Sequence, residues 1–506
     1  MLITKDNRYI MLPISKSAEK NKLRISHGST LLLDLDVKLD FNSPESIMYY
    51  DLAPFMGMDV EIINEYSTTL KFTAEKPTPD FGRYRPRIRF TADYGWINDP
   101  NGLVFYKGKY HLFYQHNPAG TEWSNMHWGH AVSDDLIHFE DLDEALYPDE
   151  MGDMFSGSAI VDFDNRLGLN TDDHKAILLF YTAAGDHREI SQGKKFTQCL
   201  AYSLDGGYSF KKYENNPIVP HIKGGNRDPK VVFDTENGIY LMALYLDGNE
   251  YAILTSSDLI CWKHLQTFSL QGDDECPDIF KMDNGKGENR WVMGGAHDMY
   301  TVCDFDPEVG FVSFTEPKKL GFGAVYASQS YSGTGDRRLR YSWLRFTACP
   351  DCEYNCMLST PCELKLFGNE LRIAPSTEFD AVCHAAEVSE KLPSHGICRE
   401  IGRSADITLE LSSIEEAVTL MLGGNEIKLD AMSGLITVNG TENMPLCPMG
   451  GKIKVRIITD NFGIELFAGI EDGFAKAYGA FPGKIENSTL TILGEGSLDR
   501  LTVNKF

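Results

Sequence analysis

Three times between residues 98 and 281, a carboxylate stands just ahead of a proline and an apolar run. Asn98-Asp99-Pro100 precedes Leu103-Val-Phe-Tyr106, Arg227-Asp228-Pro229 precedes Val231-Val-Phe233, and Glu275-Cys276-Pro277 precedes Asp278-Ile-Phe-Lys281. Proline has no N–H to give a sheet, so it is tolerated at the first residue of a strand or at an edge. The three carboxylates therefore occupy equivalent strand-start positions. A second element recurs with them: a small residue and Ser, an acidic turn, then an aromatic. It reads Ala131-Val-Ser-Asp-Asp-Leu-Ile-His-Phe139, Ala201-Tyr-Ser-Leu-Asp-Gly-Gly-Tyr-Ser-Phe210 and Thr255-Ser-Ser-Asp-Leu-Ile-Cys-Trp262. Repeats built only of strand and turn predict propeller blades. The innermost strands of a propeller line one channel, and carboxylates far apart in sequence would converge there.

Strand signals run through the rest of the chain, and helical periodicity is scarce. Gly102–Tyr114 reads as a hairpin split by a Gly turn, with similar hairpins at Val231–Tyr245 and Tyr251–Ser256. At 506 residues the chain exceeds one hydrophobic core. Residues 1–80 alternate apolar and polar and end in the linker Lys76-Pro-Thr-Pro-Asp80. Residues 85–375 hold nearly all the Trp and most of the His. Residues 380–506 alternate over short turns in the manner of a β-sandwich. The expected fold is all-β: a small N-terminal β-rich domain, a propeller and a C-terminal sandwich.

The net charge of −25 repels phosphate backbones and anionic lipid, which disfavours nucleic acid and membranes as partners. No stretch approaches the ~20 apolar residues that span a bilayer. Charges interrupt Met1–Ile10 before a secretory apolar core forms, and the 11 cysteines are an odd count. A cytoplasmic location with free thiols is expected, and the Asn439 and Asn487 sequons are read as accidental.

Three converging carboxylates repel one another and raise a pKa. A glycosidase gives that cost a use, because it needs one ionised carboxylate and one that keeps its proton near neutral pH. A third steadies positive charge developing at the sugar. Arg227 is expected to help keep the adjacent Asp228 ionised. One Asp-Pro alone is commonly a solvated turn; three in register are not.

The motifs resemble those of a known family. Trp96-Ile-Asn-Asp-Pro-Asn-Gly102, Tyr110-His-Leu-Phe-Tyr-Gln-His-Asn-Pro118, Trp128-Gly-His-Ala131, Phe155-Ser-Gly-Ser-Ala159, Arg227-Asp-Pro229 and Glu275-Cys-Pro277 are similar to the signatures of glycoside hydrolase family 32, the β-fructofuranosidases. The resemblance covers residues 85–375 and, more loosely, the C-terminal region. It implies a five-bladed propeller followed by a sandwich. It implies Asp99 as nucleophile, Glu275 as general acid/base and Asp228 as transition-state stabiliser. It further implies a fructosyl pocket shaped by Trp96, Asn98, Gln115, Trp123, Phe155, Ser156 and Arg227, with Trp343 as a wall. Gln and Asn suit sugar hydroxyls, and flat aromatic faces suit the sugar's C–H side. Residues 1–80 weakly resemble an N-terminal β-domain of some gut-bacterial members.

The expected activity is retaining, exo-acting hydrolysis of terminal β-D-fructofuranosyl residues of sucrose and short fructo-oligosaccharides. A small sugar is the expected partner, and no cofactor is expected. Fructosyl transfer through the same intermediate is the alternative, followed by a non-catalytic carbohydrate-binding protein. Cys349, Cys352, Cys356 and Cys362 have a spacing that zinc or an iron–sulfur cluster accepts, but they fall where the family has a strand and loop without metal. His127 and His130 are read as strand residues facing opposite ways, which denies them a shared metal.

Overall fold

The computed structural model describes residues 1–66, 68–79, 82–347, 353–388, 397–414, 416–495 and 497–506. Among them there is one α-helix, Thr377–Val382, whose N-cap Ser376 accepts from the Phe379 N–H. Nearly everything else is strand and turn.

Five antiparallel sheets between Gly95 and Pro375 follow one another round a ring. Their inner strands are Gly95–Tyr106, Asp153–Val161, Arg227–Asp234, Asp278–Asp283 and Val325–Ser330. Each packs against the next, and the fifth closes on the first. Strand Tyr354–Asn355 runs parallel to Gly95–Trp96 and joins the first sheet late in the chain. This is a propeller, and closure protects its sheet edges.

The recurring Ser-acidic turns explain themselves. They join the third and fourth strands of the first three sheets. Ser133 and Asp135, Ser203 and Asp205, and Ser256 and Asp258 are hydrogen-bonded pairs. Each Asp then accepts from two N–H groups on the far side of its turn. A short acid satisfies the turn's own donors, so the motif recurs wherever the turn does. The fourth sheet uses Asp306 alike, without the Ser. Tyr251–Ser256 differs from its sequence reading. It belongs to one strand, Glu250–Ser256, paired with Ile239–Asp247 on one side and Lys263–Ser269 on the other.

Buried polar contacts join the inner strands beyond the three carboxylates. The Lys230 ammonium pairs with Asp278 at 2.7 Å and donates to the Ser330 carbonyl at 2.8 Å. The Ser158 hydroxyl donates to the Pro229 carbonyl and accepts from the Val231 N–H. Four of the five inner strands are tied together by these contacts.

Behind the propeller, a seven-stranded and a six-stranded sheet share a core that includes Ile407, Leu409, Leu420, Ile427 and Leu466. Strand Gly321–Gly323 leaves the propeller to add in parallel to Ala477–Lys484. Arg89 and Glu465 form a fully buried ion pair at 2.6 Å across this junction. At the other end, two three-stranded sheets from Tyr9 to Thr73 enclose Ile10, Leu12, Leu23, Leu35 and Met48. They rest on the first and second propeller sheets through Tyr50 with His127 and Arg188 with Asp34.

Candidate active site

The inner strands break register where the chemistry-bearing residues stand. Bulges fall between Ile97 and Pro100, Phe155 and Gly157, Arg227 and Lys230, and Tyr326 and Gln329. A bulge bends the strand and re-aims its side chains. Asp228, Glu275 and Cys276 also hold left-handed backbone, at φ 64°, 51° and 36°. Non-glycine residues adopt this at a cost, one that recurs at functional sites. At Gly157 a side chain is impossible, because a Cβ would meet the Phe180 carbonyl oxygen at 1.9 Å.

The three carboxylates do converge. Asp99 accepts from the Ser156 hydroxyl at 2.5 Å and the Asn98 amide at 3.1 Å. Asn98 is itself held by the Trp96 indole N–H at 3.0 Å. The Cys276 thiol lies 3.4 Å from Asp99 and 3.5 Å from Asp228. The Cys276 backbone N–H donates to Asp228 at 3.0 Å. Arg227 spans the remaining gap: its Nη2 donates to Glu275 Oε1 while its Nε lies 3.8 Å from Asp228. The Tyr326 hydroxyl donates to the other Glu275 oxygen at 2.7 Å.

These contacts set the charges. Burial raises Asp99; Ser156 and Asn98 oppose the rise, and the charge of Glu275 adds to it. Burial pushes Asp228 up to about 7 against the pull of Arg227, with Asp99 and Glu275 adding to the rise. Burial also acts on Glu275, but Arg227 and the Tyr326 hydroxyl outweigh it and hold this carboxyl below its ordinary value. Arg227 makes its closest contact with Glu275, and it also pulls on the adjacent Asp228 in the expected direction, toward the ionised form.

The remaining sequence candidates fall around this centre. Gln115 is buried and donates to the Met154 carbonyl at 2.8 Å. Trp123 is 48% exposed, and its ring meets Phe155 at 6.0 Å edge-on. Trp343 packs edge-on against Trp96 and Tyr326, both at 5.9 Å. The sequence reading missed several neighbours. His187 and Phe196 complete the aromatic rim against Phe155 at 5.1 and 5.6 Å. Tyr326 reaches Glu275 and carries His297 edge-on at 4.9 Å, with the His297 ring 3.2 Å from Asp274. Asn101 is fully buried; with its amide turned to satisfy both ends, it accepts from Gln115 at 2.9 Å and donates to Ser156 at 3.3 Å. Only the adjacency of Asn101 to the Asp-Pro motif signalled it.

His127 and His130 part company as strand geometry demands: His127 bonds Tyr50 and His130 bonds His111. Cys349 and Cys352 lie outside the described residues. Cys356 and Cys362 are buried in different apolar clusters.

Residues 89–375 match the family model described as glycosyl hydrolases family 32, N-terminal domain. This chain belongs to glycoside hydrolase family 32. Similarity to individual relatives extends beyond the matched residues. The family 32 chain is 34% identical to the levanase of Bacillus subtilis over 462 residues, 79% of this chain and 67% of that protein. It is 38% identical to the invertase of Schizosaccharomyces pombe over 276 residues, 49% of this chain and 46% of that one. The matched stretch thus spans about half of the invertase. Its fold is that of the exo-inulinase from Aspergillus awamori, with a TM-score of 0.73 at 23% identity over 84% of this chain and 98% of that one.

Proposed function

We propose that this family 32 member is a retaining exo-β-fructofuranosidase acting on sucrose and short fructo-oligosaccharides. The observation that carries the reading is the linked trio of Asp99, Asp228 and Glu275, joined through Ser156, Cys276 and Arg227. The levanase, invertase and exo-inulinase relatives support a fructosyl substrate.

Asp99 attacks the anomeric carbon, its anion steadied by Ser156 and Asn98. Glu275 gives its proton to the leaving oxygen. Asp228 and Arg227 hold fructosyl hydroxyls and balance charge as the oxocarbenium-like state forms. The free site stores Glu275 as an anion against Arg227, which is its form as base in the second half-reaction. Sugar hydroxyls that engage Arg227 loosen that pair, and the bound sugar excludes water. Both changes raise Glu275 toward its acid form. Water then hydrolyses the fructosyl–enzyme with Glu275 as base.

The pocket reading is supported by the buried contacts of Lys230, Asp278 and Ser330, which join inner strands beyond the carboxylates. A blind pocket admits a chain end and not its middle. The test is NMR of early product from a fructo-oligosaccharide. The first sugar released should be fructose as its β-anomer, with substrate shortened one unit at a time. First release of the α-anomer would overturn retention. An early ladder of di- and trisaccharides without fructose would overturn exo action.

A further inference from the structure

The aromatic rim of the pocket rests on loops. Trp123 and His187 lie outside the strands, the first between Asn117 and His127, the second between Ala184 and Thr197. Their rings meet at 6.3 Å edge-on, and both touch Phe155. A half-exposed ring on a surface loop keeps its place only where the loop backbone is tied down.

Both loops are tied to the same strand of the N-terminal unit, Thr30–Val37. On the Trp123 side, the Asp36 N–H donates to the Asn125 amide oxygen at 2.9 Å, and the Asn125 amide returns a bond to the Asp36 carbonyl at 2.8 Å. Lys38, just past the strand, pairs with Glu122 at 2.7 Å. On the His187 side, the fully buried Asp34 accepts from the Ile190 N–H at 3.1 Å and the Glu189 N–H at 3.3 Å. Its carbonyl accepts from Arg188 at 3.1 Å. Arg188 continues to Asp153 at 2.9 Å, two residues before Phe155. Lys22 neutralises Asp34 at 2.9 Å, and Arg24 pairs with Glu189 at 2.9 Å. Two positions on one strand, 34 and 36, thus pin one loop each.

We infer that the N-terminal unit is a working part of the sugar site: its strand Thr30–Val37 positions Trp123 and His187 as the rim that grips the terminal fructosyl unit. This rests on the fructosyl reading above. None of the pins touches Asp99, Asp228 or Glu275, so Asp34, Arg24 and Lys38 are positioning residues. They act on binding through the two rings and leave the bond-breaking groups in place.

The experiment uses the full chain and three variants. Asp34→Ala removes the acceptor for both loop N–H groups, and the rim must then be ordered by the sugar itself. Its KM for sucrose and its Kd for free fructose, followed by tryptophan fluorescence, should rise about tenfold, with kcat within about threefold of wild type. Asp34→Asn keeps a side-chain oxygen for the loop, so its KM should stay within about threefold while Tm falls through the loss of the Lys22–Asp34 charge pair, one of two that Lys22 makes. The double variant Arg24→Ala/Lys38→Ala cuts only partly exposed pins and decides the matter if Asp34→Ala does not fold. Its Kd for fructose should rise roughly threefold, the scale of two surface pairs. Unchanged fructose Kd and sucrose KM in the folded variants, with only Tm lowered, would overturn the inference. Fructose binding needs no turnover, which separates the two readings. A wild-type chain that binds fructose but hydrolyses nothing would defeat the catalytic proposal alone, and one that binds no fructose would defeat both.

Discussion

Ser156→Ala isolates the support given to the proposed nucleophile. The hydroxyl is buried and sits 2.5 Å from Asp99 Oδ2, on the short side for a donor to a carboxylate. A hydrogen bond to a charged group is worth about 1.5–3 kcal/mol. At about 1.4 kcal/mol per decade, its loss costs roughly tenfold to 150-fold in the step that needs the anion. Asn98 and Cys276 still reach Asp99 in the variant, so the lower part of that range is expected, roughly 10–30-fold in kcat/KM. The pH profile carries a second signature. Ser156 opposes the rise that burial imposes on Asp99, so removing it sends this carboxyl higher still. The acid limb of kcat/KM should move toward higher pH, and part of the loss should be recovered above that limb. The assay is fructose release from sucrose across the pH range, with circular dichroism as a check on folding. A loss under about threefold at every pH, with the limb unmoved, would refute the assignment of Ser156 as the support of a reacting anion.

Asp228→Asn tests the electrostatics through stability. Asp228 is raised from 3.8 to about 7 in the fold, so the folded chain holds an extra proton between those values and loses stability as pH rises through that window. The variant has no such loss, and its Tm advantage over wild type should be larger at pH 8 than at pH 5 in calorimetry; an advantage that shrinks with pH would contradict the raised value. Arg89→Met breaks the buried pair with Glu465 and strands an acid that otherwise serves Arg89, Thr360 and Tyr478. It should cost about 3–5 kcal/mol in denaturant unfolding, and a change under about 1 kcal/mol would show that the junction is not held this way.

Much of the propeller was legible because its devices are local. Pro100, Pro229 and Pro277 mark strand starts through a missing N–H. The Ser-x-Asp turns satisfy their own donors within a few residues. Such features act over short range and leave a pattern in the sequence wherever they recur. The three carboxylates were legible for the same reason, and so was the opposed facing of His127 and His130. The Tyr251–Ser256 hairpin failed because alternation alone does not tell a lone strand from two halves of a hairpin.

The amino-acid order by itself determined the strand-rich class, the three strand-start carboxylates and the turns between blades, all consequences of backbone chemistry within a few residues. Closing the ring decided the rest. Tyr326 meets Glu275 across 51 residues, and Arg188 meets Asp34 across 154. Nothing near Tyr326 or Asp34 in the chain marks either as a partner. The bond from Arg227 to Glu275 likewise joins residues 48 apart in the chain. Which charges pair, and which loops are pinned, depends on separations that exist only once the inner strands face one channel and the N-terminal sheets rest on its rim.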